Sequence, residues 1–412
     1  MRKFWVLISV ILILAMLCGC AGVSGASDEL SKGLSKNNVT GKVSDDDFTL
    51  SQYEFAAKLL KESFSADEKE NTLISPLSVM LALSMTANGA GGDTLSEMEN
   101  LLADGMDIDT LNNYLYSYVN ALPSSKTASL SIANSVWFRD RSDFSVKEDF
   151  LQKNTDYYGA DIYKAPFDKS TVKDINGWVN KNTAGMIKEI IEDIDDNTMM
   201  YLINAICFDA EWERIYEEFD VRDRTFTTIG GKKKNVSMMH SDENVYLEDD
   251  DSTGFIKYYK DRKYAFAAVL PNEGVDFSSF INSLSGEKMK HILQSAENTA
   301  VVTALPKFKT ETSLDMNPVL KSLGMKKAFE ADSADFKGIS DMELYISRVL
   351  HKTYISVDER GTKAGAVTSV AVDGEGFFER KEVCLDRPFV YMIIDCENKL
   401  PIFFGTVTDI GE

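Results

Sequence analysis

The chain has 412 residues, 44% of them hydrophobic and 26% charged, with a formal charge of −21 at neutral pH. This composition fits a folded soluble chain and excludes both wholesale disorder and a multi-span membrane protein. The acidic balance sets the molecule against phosphate backbones and anionic lipid surfaces, so nucleic acid is not an expected partner.

Met1-Arg2-Lys3 precedes an apolar run over residues 4–17, which reads as an export signal because it falls short of the ~20 residues that span a bilayer. Leu17-Cys18-Gly19-Cys20 resembles the bacterial lipobox, which makes residues 1–19 a lipoprotein signal peptide and Cys20 the lipidated residue. Cys18 departs from that pattern, since Ala or Ser is usual there, and simple secretion is the alternative. Residues 20–47 have the Ser, Gly, Asn, Lys and Asp content of a flexible tether, giving an extracellular protein held at the cell surface.

A single domain is expected over residues 48–412. Tyr53, Ala56, Leu59, Leu60 and Phe64 recur at helical spacing behind Ser51 as a candidate cap. A second helix is predicted over residues 76–88, opened by Pro76 and stopped by Gly89-Ala90-Gly91-Gly92. That glycine cluster lacks the following Lys-Ser/Thr of a nucleotide loop. Further helices are predicted over 148–158, 171–183, 277–285 and 316–323. Strands are predicted over 130–138, 200–208, 264–270 and 299–305, with a closing hairpin of 388–395 and 402–407. Mixed runs of strands and helices without βαβ regularity indicate an α+β fold.

Catalytic and metal signatures are missing. The sequence has no G-x-S-x-G, no H-E-x-x-H and no C-x-x-C, and its only histidines are His240, His291 and His351. No enzyme, cofactor or metal is expected. The acidic clusters at 192–196 and 248–251 lack EF-hand spacing and read as solvated turns. His351 lies beside the strand-like residues 354–357 and reads as a hydrogen-bonded core histidine. Cys207 sits in an apolar run and reads as a buried thiol; a disulfide among Cys207, Cys384 and Cys396 is allowed but not demanded.

The most informative stretch is 357–388. At period two, one face carries Thr362, Ala364, Ala366, Thr368, Val370 and Val372, all small or β-branched and uncharged. The other carries Lys363, Gly365, Val367, Ser369, Ala371 and Asp373. The segment is bounded by Glu359-Arg360-Gly361 and Gly374-Glu375-Gly376, with Phe377 and Phe378 next. It is competent to become a strand inside a sheet, with a reach of about 45 Å. The plainer reading is an edge strand and turn with both phenylalanines in the core.

Several ordered blocks resemble the serpin family: Asn71 to Ser78, Trp178 to Lys188, Leu202 to Trp212, Phe329 to Ser340, Val349 to Lys352, and Arg387-Pro388-Phe389 through Val407. The resemblance implies three β-sheets, eight or nine helices and an exposed reactive-centre loop from Gly361 to about Lys381. It further implies a suicide-substrate inhibitor, in which a serine protease forms an acyl-enzyme with the loop and the loop then inserts into the large sheet. The hinge would comprise Glu359, Gly361, Thr362, Ala364, Ala366 and Thr368. A charge on its buried face would cost several kcal/mol on insertion, and Thr362 carries none. Lys363, Gly365 and Val367 depart from the usual residues but lie on the outer face.

Counting forward from Glu359 places Glu375 before the scissile bond, whereas counting back from Pro388 favours Phe377, with Gly376 between them. Phe377 suits a chymotrypsin- or subtilisin-like protease, Glu375 a glutamate-specific one, and Gly376 serves elastase-like sites poorly. By the same resemblance Ser75, Ser78, Asn204 and His351 form a hydrogen-bond cluster, the shutter, beneath the centre of the sheet. A monomer is expected, touching membrane only through its lipid. The alternative function is a tethered binding or scaffold protein that keeps the fold without inhibiting.

Overall fold

Short acidic side chains open several of the helices. The Asp45 carboxylate accepts from the Phe48 amide and starts α1 (Asp46–Ala66), with Asp46 and Asp47 in its first turn against the positive end of the helix dipole. The helix therefore begins a turn and more before Ser51, which is buried within it rather than capping it. The computed structural model describes residues 27–123, 125, 127–362 and 381–411.

In chain order the N-terminal part comprises β1 (Asp28–Glu29), α1, β2 (Leu73–Ile74), α2 (Pro76–Ala87), α3 (Gly92–Ala103), α4 (Ile108–Ala121), β3 (Ala128–Arg139), α5 (Glu148–Tyr158), β4 (Asp161–Ala165) and α6 (Lys169–Asn182). The middle holds β5 (Met200–Glu211), β6 (Val221–Thr227), β7 (Lys233–Glu243), β8 (Tyr246–Glu248), β9 (Ser252–Tyr258), β10 (Tyr264–Pro271), α7 (Phe277–Ser283), α8 (Gly286–Gln294), β11 (Val301–Pro306), β12 (Phe308–Asp315) and α9 (Asn317–Ser322). Last come β13 (Arg348–Val357), β14 (Gly361–Thr362), β15 (Lys381–Cys384), β16 (Phe389–Asp395) and β17 (Pro401–Val407).

Three sheets result, the number the family resemblance implies, in an α+β fold. A seven-stranded sheet runs β1-β4-β3-β5-β14-β13-β12, a six-stranded one β2-β17-β16-β10-β9-β8, and a four-stranded one β15-β11-β7-β6. The first is covered on both faces, and this explains the near-continuous apolar run of β5. Leu202, Ile206 and Phe208 enter the main core, while Tyr201, Ile203, Ala205 and Cys207 alternate onto the other face, where Trp178 and Val179 of α6 meet them. Helix α2 is buried at all its positions, consistent with apolar character around its whole circumference.

The expected flexible tether is docked from Ser27 onward. Strand β1 pairs antiparallel with β4, the Leu30 amide donates to Ile162 O at 2.7 Å, and the Lys42 amide to Asn113 O at 2.9 Å. Asn37 binds Asp156 through both its backbone and side-chain nitrogens, at 2.8 and 3.1 Å. Packing against the rest of the domain is thus present from Ser27, well before residue 48. Cys384 and Cys396 are free thiols, and Cys207 is buried in the sheet.

Candidate functional site: the loop hinge and the seam below it

Strand β13 ends at Val357 and the chain turns back. The Asp358 carboxylate accepts from the amides of Arg360 (2.9 Å) and Gly361 (3.3 Å), while the Asp358 amide donates to Gly361 O at 3.0 Å. Such Asx-type bonds build a turn from a local side chain. The returning strand β14 lies between β5 and β13, antiparallel to both, with Thr362 opposite Val357 on one side and Ala210 on the other. Only glycine fits at 361, because a Cβ there would stand 2.1 Å from Ala210 O.

The turn is held from outside by the chain just beyond β5. The Trp212 amide donates to Arg360 O (2.8 Å), the Trp212 indole to Asp358 O (2.9 Å), and the Tyr216 amide to Glu359 O (2.9 Å). Glu359 forms an ion pair with Lys307. Thr362 is fully buried, its Oγ1 2.5 Å from the Tyr259 hydroxyl, and Tyr259 stacks on Trp212 with ring centroids 4.4 Å apart.

Below β14 the two neighbouring strands close on each other. Residues Arg348 to Thr353 of β13 pair in parallel with Tyr201 to Ile206 of β5, and His351 faces Asn204 in this register. The Ser75 amide can only donate, so His351 Nε2, 3.0 Å away, is the acceptor. Nδ1 therefore carries the proton and donates to Asn204 Oδ1 at 2.7 Å. Asn204 Nδ2 donates to Ser78 O (2.6 Å) and Asn134 Oδ1 (2.7 Å). Ser75 Oγ caps α2 by accepting from the Ser78 amide and donates to Ile402 O at 2.7 Å. One imidazole thus ties the two strands to the start of α2. Burial keeps it neutral, pulling its pKa down to about 3.

The serpin (serine protease inhibitor) family model matches residues 50–410. The chain belongs to the serpin family. An uncharacterised serpin-like protein of Thermococcus kodakarensis is 33% identical over 362 residues, covering 85% of this chain and 83% of its own. Serpin B6 of Pongo abelii is 30% identical, covering 85% of this chain and 96% of its own. Among solved structures, the thermophilic serpin Tengpin in its native state superposes with a TM-score of 0.89 at 48% identity, covering 93% of this chain and all of that one. The same protein in its latent state gives 0.79.

The structure brings Ser75, Ser78, Asn204 and His351 together, and Glu359, Gly361 and Thr362 at the upper end of the same seam. Ser78 enters through its backbone, since its buried hydroxyl has no hydrogen-bond partner among the described residues. Ala364, Ala366, Thr368, Glu375, Gly376, Phe377 and Cys20 lie outside the described residues. Sequence reasoning left out Asn134, Tyr216, Tyr259 and Lys307. Asn134 had a legible signal, being an amide in the middle of an otherwise strand-like run. The others are tied to the hinge only by tertiary packing.

Proposed function

We propose that this serpin is a suicide-substrate inhibitor of serine proteases, held at the cell surface by lipid on Cys20. The observation that carries the inhibitory reading is the position of Thr362. An uncharged side chain at the head of the loop already occupies the slot between β5 and β13, so an incoming strand has a started edge on each side. Further entry exchanges the β5–β13 pairing over 348–353 for two new antiparallel pairings.

In the proposed reaction the protease serine attacks the loop carbonyl, the new amino terminus leaves, and the ester remains. The freed loop then zips into the seam before water can hydrolyse the ester. The count back from Pro388 and the apolar side chain of Phe377 favour cleavage after Phe377 by a chymotrypsin- or subtilisin-like enzyme.

The test is incubation with chymotrypsin, subtilisin, pancreatic elastase and a glutamate-specific protease. The expected result is an SDS-stable complex with a released C-terminal peptide that begins at Phe378. A peptide beginning at Gly376 would move the bond to Glu375. Loop cleavage with neither complex nor gain in thermal stability would leave a non-inhibitory member of the fold. Anchoring is checked separately, because Cys20→Ser should abolish palmitate labelling of the protein in a bacterial host and release it from the membrane fraction.

A further inference from the structure

A lysine side chain lies where the three sheets meet. Lys257, on β9 of the six-stranded sheet, is only 1% exposed, and its ammonium stands 2.6 Å from Glu243 on β7 of the four-stranded sheet. Above it are two aromatic faces, Tyr216 with its centroid 4.3 Å away and Trp212 at 5.5 Å. Glu243 also accepts from Ser241 Oγ at 2.7 Å, and Ser241 reaches Thr303 Oγ1 at 3.0 Å. Burial works against the charge, yet Tyr216 and Glu243 carry the lysine pKa above its ordinary value, so the ammonium persists.

Lysine is rarely buried to this extent, and a buried ion pair seldom adds stability over an apolar pair of the same volume. The pair must be judged by what it holds in place. Its cation lies under the two residues whose N–H groups make all three hydrogen bonds from beyond β5 to the hinge turn at 358–360. An ammonium between a carboxylate and two ring faces restricts those rings in both distance and tilt, which apolar packing alone does not.

We propose that Lys257, paired with Glu243, is a positioning residue for loop insertion: it fixes Tyr216 and Trp212 so that the hinge turn delivers the loop squarely between β5 and β13. The proposal rests on the inhibitory reading and deepens it. In that reading the acyl ester faces a race between insertion and hydrolysis. A hinge that is held loosely slows only the first.

The experiment compares the wild type with Lys257→Met and with the double variant Lys257→Met/Glu243→Gln, which leaves no unpaired buried charge and guards against failure to fold. With chymotrypsin or subtilisin, whichever complexes the wild type, two quantities are read: the rate of loop attack, and the number of inhibitor molecules consumed per protease trapped. We expect the attack rate to be unchanged and the consumption in excess of one inhibitor per trapped protease to rise about tenfold in the double variant, the size expected when a hinge contact of 1–2 kcal/mol is lost from one arm of the race. Lys257→Arg, which keeps the cation, should recover part of the trapping. Unchanged consumption in a double variant whose thermal midpoint has fallen would overturn the proposal and leave the pair a packing feature. No complex with the wild type would instead remove the inhibitory reading, and this proposal with it.

Discussion

His351 and Asn204 face each other in register across the parallel β5–β13 pairing, and the imidazole donates to the Asn204 side-chain oxygen over 2.7 Å. This contact lies inside the stretch of seam that must part for a strand to enter. In His351→Ala the Ser75 amide and the Asn204 oxygen lose their partner in a fully buried site, at a cost of about 1–3 kcal/mol for each orphaned group. The variant should melt several degrees below the wild type and, on native gels after mild heating, show more polymer or prematurely inserted monomer.

The same histidine makes stability depend on pH. Its folded pKa is pulled down to about 3, against an ordinary 6.5. Below about pH 6.5 the unfolded chain takes up a proton that the native chain refuses. Native stability therefore falls by roughly 1.4 kcal/mol per pH unit as pH drops through the window between the two values, and this group has no effect above it. Urea midpoints measured from about pH 4 to pH 7 should show that slope, and His351→Gln should flatten it.

Thr362→Arg places a cation where the side chain is fully buried against the Tyr259 hydroxyl. Expelling it costs the β14 pairings, and keeping it costs several kcal/mol of desolvation. The variant should be cut at the same bond as the wild type and at a similar rate, but as a substrate, with the trapped fraction on SDS gels falling at least about tenfold.

Removal of residues 1–45 should lower stability without touching the hinge. It strips β1 from the edge of β4, removes the Asn37–Asp156 and Lys42–Asn113 bonds, and deletes the Asp45 cap of α1, itself worth about 1 kcal/mol. The expected outcome is a lower thermal midpoint and greater aggregation through the bared edge strand, seen by light scattering.

Periodicity made the main elements legible. Helix α5 appears over the very residues expected, and β5, β10 and the β16–β17 hairpin lie within a few residues of their apolar runs. The polar strands β6 and β7 were not anticipated. Arg222, Asp223 and Arg224 are exposed on an edge strand, where nothing demands an apolar alternation. The docking of 27–45 was equally hidden, since it rests on amide and carboxylate hydrogen bonds that leave no hydrophobic pattern. At the site, the cluster around His351 was reached through family resemblance, because partners from β3, β5, α2 and β13 share no spacing along the chain. Lys257 gave no sign at all. A lysine beside two tyrosines in a strand looks like a surface residue until Glu243 is seen opposite it.

The order of strands in the large sheet also decides which part of the molecule travels. Accepting one more strand between β5 and β13 spreads them by about 4.8 Å, and β5, β3, β4 and β1 shift together as one block against β13 and β12. Strand β1 belongs to that block and begins eight residues after Cys20, a span of at most about 28 Å. In a molecule held by lipid at Cys20, the block nearest the bilayer is the anchored one. On the proposed anchored, inhibitory reading, the recoil of insertion would be taken up by the far block and its cargo, so a captured enzyme would move relative to the cell surface while the footing stays still.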